Sequence, residues 1–88
     1  MTNERLIARI LEACDRFERR ELSVADLQTS LEANASALEG VDKSVHSKLR
    51  EFSNSLEQIR FARLLEKQHD ETLTVIRELR EYLSNRLL

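Results

Sequence analysis

Hydrophobic and polar positions along the chain divide it into four amphipathic segments. Leu6, Ile7, Ile10, Leu11, Cys14 and Phe17 form one apolar stripe of helical period, with Glu4, Arg5, Glu12, Arg16, Arg19 and Arg20 on the other face. This predicts a first helix from Asn3 or Glu4 to about Arg20, with Thr2 or Asn3 as N-cap. Val24, Leu27, Leu31, Ala35 and Leu38 mark a second helix. The segment Ser23-Val24-Ala25-Asp26 opens it as a capping box, with Asp in place of the usual Glu, and Leu22 stands ready to staple onto Leu27. Gly40 is placed to end it as a left-handed C′ residue.

A third helix is expected from Asp42, a good N-cap. Val45, Leu49, Phe52, Leu56 and Ile59 repeat at spacings of four and three. At 100° per residue, Phe61 falls roughly 140–160° from the middle of that stripe, so the apolar face changes phase near residue 60. The last stripe is Leu73, Ile76, Leu79, Leu83 and Leu87. The polar run Glu66-Lys67-Gln68-His69-Asp70 predicts a short break, with Asp70 capping a helix that reaches Arg86. One long bent helix from Asp42 onwards is the alternative. Phe61 and Leu65 are in phase with the last stripe if it is extended backwards. Phe61 is therefore expected to pack against the last helix, the other outcome being an exposed Phe61-Leu64-Leu65 patch.

Four such segments with short connections predict an all-α fold. The expected form is a compact antiparallel bundle of four helices over residues 1–88, or three if the C-terminal half is one long helix. Composition agrees. There is no proline and Gly40 is the only glycine, whereas a β-protein needs many turns. The 88 residues suit a single domain, which buries roughly 60–65% of its unfolded surface. Hydrophobic residues make up 41% and charged residues 34%, too apolar for a disordered chain. No apolar run approaches a membrane span of about 20 residues. Met1-Thr2-Asn3-Glu4-Arg5 lacks the start of a signal peptide, so the expected location is cytoplasmic, without a membrane partner.

Charge is unevenly divided. The stretch from Leu22 to Val41 carries three acids and no Lys or Arg, whereas the first 21 residues hold five acids and five bases. The second helix thus presents Asp26, Glu32, Ser36 and Glu39 without a cation of its own, and Asp42 extends the series. These five residues are the predicted partner-binding positions. An acidic surface favours a basic partner by speeding and orienting its approach. The competing reading is a solvated face whose charges pair with neighbouring helices.

Candidate chemistry is sparse. Cys14 lies inside an apolar stripe, where a thiol is inert. His46 and His69 lack the converging ligands that a metal needs, so no metal or cofactor is expected. A phosphorelay histidine would want a nearby Gly, and His46-Ser47-Lys48-Leu49-Arg50 has none. No Gly-rich loop or nucleophile elbow is apparent, so the chain is expected not to be an enzyme. The net charge of −2 and the acidic second helix argue against nucleic-acid binding.

The run from Phe17 to Leu27, with its Glu21-Leu22-Ser23 turn, and the segment Leu56-Glu57-Gln58-Ile59-Arg60-Phe61 resemble small all-helical immunity proteins of bacterial toxin systems. The likeness is to the colicin D immunity type and to contact-dependent growth inhibition immunity proteins. It is diffuse, spans most of the chain and carries no short motif. It implies that the partner is the C-terminal domain of a cognate toxin, often a nuclease, whose active site is occluded. An adaptor or homodimerising role is the alternative.

Overall fold

A computed structural model describes residues 1–87 of the chain. It contains α1 (Asn3–Glu18), α2 (Val24–Ser36), α3 (Lys43–Ala62) and α4 (Leu65–Arg86), and no strand among the described residues. The helices form the expected four-helix bundle, with a Cα radius of gyration of 12.3 Å.

Local signals set three of the four starts. The Thr2 hydroxyl accepts the Arg5 N–H at 3.2 Å. At α2 the capping box closes in both directions: Ser23 Oγ accepts from Asp26 N–H at 3.1 Å, and Asp26 Oδ2 accepts from Ser23 N–H at 3.3 Å. Asp42 accepts the Ser44 N–H at 3.1 Å and starts α3.

The helix ends depart from expectation. α1 stops at Glu18, two residues early. Arg20 N–H donates to the Phe17 carbonyl and Glu21 N–H to the Arg16 carbonyl, both at 2.9 Å, which is the bonding pattern of a Schellman motif. Arg20 takes the left-handed position that glycine usually fills, with φ 62°. The apolar contact that commonly closes this motif is replaced by charge, because Glu21 pairs with Arg16 at 3.3 Å and Arg19 at 2.7 Å. An L-residue pays for this conformation, so Arg20→Gly is expected to stabilise the protein by about 1 kcal/mol. Chemical denaturation checks this, and Arg20→Val should move the midpoint the other way.

α2 ends at Ser36, well before Gly40. Gly40 does adopt φ +68°, but inside the connection to α3 rather than as a C′ residue. Leu38 still reaches the core from that connection, and the turn is tied to α1. Asn3 Oδ1 accepts the Glu39 N–H at 3.0 Å and Asn3 Nδ2 donates to the Glu39 carbonyl at 2.7 Å.

The largest difference is at the C-terminal half. The chain does break there, but at Arg63–Leu64, both extended, and α4 starts at Leu65 rather than Asp70. The polar run read as a break is the first part of α4. Gln68 from that run donates to the carbonyls of Arg60 (3.4 Å) and Arg63 (3.1 Å), capping the end of α3. His69 stacks on Phe17 of α1 with ring centroids 4.9 Å apart. Docking across the bundle outweighs the local polarity of the segment.

The core follows the predicted stripes closely: Ile10, Cys14, Leu27, Leu31, Leu49, Leu56, Ile76, Leu79 and Leu83 are all but completely buried. α4 also buries Thr72 and Val75, which its predicted stripe did not include, while Leu73 is only half-buried. The Thr72 hydroxyl has no hydrogen-bond partner among the described residues. Replacing it with the isosteric valine should add about 1 kcal/mol, because an unsatisfied buried hydroxyl is costly. A higher melting temperature for Thr72→Val is the readout.

α1 crosses α4 obliquely. Phe17 meets His69, yet Asp15 and Glu18 reach Arg80, which lies roughly 16 Å further along α4. Arg80 holds Asp15 at 2.6 Å and also pairs with Glu18. Partial burial pulls the Arg80 pKa down, but its hydrogen bonds to Glu18 and Asp15 outweigh that and raise it above its ordinary value. The guanidinium therefore bridges the two helices as a permanent cation.

Candidate partner-binding surface

The five predicted residues do not form one face. Asp26 is engaged in the α2 cap and lines a groove between α1 and α2, beside Arg9, Glu12 and Arg16. Glu39 lies past the end of α2, in the α2–α3 connection. Asp42 caps α3 and borders a separate cleft, near Lys48, Tyr82 and Arg86. Only Glu32 and Ser36 are brought together. They line a groove of about 380 Å³ between α2 and α3, opposite His46, Arg50 and Ser53. The split has a simple cause: a helix without cations still packs between two helices that carry them.

The α2–α3 groove is backed by a polar network that the sequence did not reveal. Ser53 Oγ donates to Glu32 Oε2 at 2.8 Å, Gln28 Nε2 donates to Ser53 Oγ at 3.4 Å, and Arg60 Nη1 donates to Gln28 Oε1 at 2.7 Å. Gln28 and Ser53 are each only 4% exposed. Ser53 was invisible as a buried residue because it sits one position from Phe52 in the a/d stripe. Buried polar groups that find partners tie α2 to α3 at a single register.

The second feature is the α3–α4 corner. Phe61 is 75% exposed, Leu64 64% and Leu65 86%. Phe61 does not pack against α4 as expected. α3 ends one residue after it and the chain turns away, so its ring lies on the outside of the bundle. Its only aromatic or cationic contact among the described residues is with Arg60, whose guanidinium carbon sits 4.8 Å from the ring centroid. The phase change at residue 60 was the sequence signal for this patch.

Two of the groups that might have carried chemistry, Cys14 and His69, are taken up by packing. Cys14 is fully buried, and burial pushes its thiol up from 9.0 to about 11; Arg80 opposes the shift while Asp15 and Glu18 add to it. The unfolded chain loses this proton near the ordinary value and the folded chain holds it to about 11. The contribution of this thiol to stability is thus complete below pH 9.0 and is lost as pH rises towards 11. Denaturation curves across that window should show the decline in the wild type and a smaller one in Cys14→Ala. His69 is stacked on Phe17, and His46 lines the α2–α3 groove. Among the described residues, no three His, Cys, Asp or Glu side chains are grouped to hold a metal, and no helix is long and apolar enough to cross a membrane. Comparison of the chain with protein-family models, curated proteins and solved structures finds no match.

Proposed function

We propose that this protein works by binding a protein partner, as an immunity protein that occupies and neutralises the toxic domain of a cognate bacterial toxin. The observation that carries the binding role is the α3–α4 corner. Three bulky apolar side chains stand in water there, whereas the one other exposed large hydrophobic among the described residues is the terminal Met1. Such contiguous apolar patches on a folded domain mark contact sites. The toxin as partner is supported by the resemblance of the Phe17–Leu27 and Leu56–Phe61 segments. A helix α2 that offers Glu32 and no Lys or Arg suits a basic, nuclease-like surface.

The test is co-expression with the product of each reading frame beside this gene, a toxin domain being the expected partner. A 1:1 complex and restored growth are the expected results. No complex and no protection would reject the toxin as partner. The same corner also fits an adaptor or self-associating module, which sedimentation over a range of concentrations would detect as a mass above that of the monomer.

A further inference from the structure

The groove and the corner share one strip of the molecule. At 100° per residue, His46, Arg50, Ser53, Glu57, Arg60 and Phe61 fall within an arc of about 100° on α3. Facing them, Gln28, Glu32 and Ser36 repeat every four residues on α2. The two rows are joined at one level by Arg60 and Gln28 and at the next by Ser53 and Glu32, and below that they part to form the groove.

Glu32 is the unusual member. One of its oxygens is held by the Ser53 hydroxyl, which the buried Gln28 amide supports from behind. The carboxylate makes no ion pair within 4.0 Å among the described residues. The nearest basic group of the network, Arg60, spends its Nη1 on Gln28 instead. The half-buried Ala35 gives the groove an apolar surface, and Arg50 and His46 also line it. An oriented carboxylate with an uncommitted oxygen and an apolar surface suits a long side chain that ends in a cation. Arginine fits best, because its planar fork can share a carboxylate while its stem lies against the half-buried Ala35. Arg50 is then free for a carbonyl or an acidic neighbour of the incoming residue.

We infer that the α2–α3 groove accepts an arginine side chain presented by the protein partner, with the Phe61 corner as the apolar anchor of the same contact. This rests on the partner-binding reading above and names its chemistry. From Ser53 to Phe61 is eight residues of helix, so the partner offers an arginine and an apolar pocket roughly 12 Å apart.

The groove can be tested without the partner. ¹⁵N-labelled protein is titrated with N-acetyl-arginine amide at constant ionic strength and followed by amide shifts. Saturable shifts are expected around Glu32, Ser36, Leu49 and Ser53, and none there with N-acetyl-leucine amide. Glu32→Gln keeps an acceptor for Ser53 and should weaken the arginine affinity roughly tenfold. Glu39→Gln, outside the groove, should leave it unchanged. Absence of shifts in the groove, or equal affinity in Glu32→Gln, would overturn the inference. The two readings fail separately. Toxin-domain capture without arginine shifts removes the groove and keeps the partner, whereas arginine shifts without capture keep the groove and remove the toxin.

Discussion

Replacing Phe61 and Leu65 together with serine is expected to weaken partner binding by about a hundredfold or more while leaving the melting temperature unchanged. The few anchor residues at the centre of a contact cost about 2 kcal/mol or more each when truncated, and tenfold in affinity is about 1.4 kcal/mol. The same side chains give the free protein little, because at 75% and 86% exposure they bury almost nothing in the fold. Surface changes of this kind usually stay within about 0.5 kcal/mol. Calorimetry with the proposed toxin-domain partner and thermal melts of the free protein separate the two quantities. Unchanged affinity would remove the corner from the interface. A fall of several degrees in melting temperature would mean that Phe61 supports the fold after all. Solubility should rise in the double variant, since the patch is lost.

The largest effect on stability is expected from Phe17→Ala. A buried Phe truncated to Ala costs about 3–5 kcal/mol, against a total of roughly 4–13 kcal/mol for a domain of this length. Phe17 is 3% exposed and sits just before the Schellman turn that ends α1. Its ring lies nearly parallel to His69, 19° between planes, so it also supports the start of α4. That start is weak by itself, because Leu64 offers no side-chain cap. Urea denaturation should show the loss directly. Hydrogen exchange should show residues 65–72 opening more readily than the rest of α4. A variant with wild-type protection in that segment would mean that the His69 stack does not hold it. His69→Ala, which removes only the stacked partner, should cost about 1 kcal/mol.

These two residues show where sequence reasoning succeeded and where it stopped. Phe17 was legible as core because it closes a stripe of constant helical phase. Phe61 was not legible in the same way. Its phase fits α4 only if the helix runs through residues 63 and 64, and the chain turns there. The polar segment from Glu66 to Asp70 misled for the opposite reason. Its side chains look like a loop, yet Gln68 caps the end of α3 and His69 finds Phe17, contacts between residues on different helices. Of the acidic residues, Asp26 and Asp42 were recognised as caps from local spacing. That Glu32 alone faces a groove with Ser36 depended on where α3 lies.

The sequence by itself determined that the chain is helical, which faces of the helices are buried, where three of them begin, and that Cys14 belongs to the core. All of these follow from the period of 3.6 residues and from capping bonds that span three or four positions. Tertiary structure alone decided where α1 and α2 stop, where α3 gives way to α4, and which apolar residues stay in water. It also decided that the acidic residues around α2 are divided among separate surfaces. The physical reason is the same in each case. A helix has several faces and its sequence marks the apolar one, but whether a boundary residue is covered depends on the direction in which the next helix leaves. At Arg63–Leu64 that direction is set by the capping of α3 by Gln68 and the docking of His69 on Phe17. It leaves Phe61, Leu64 and Leu65 outside the bundle.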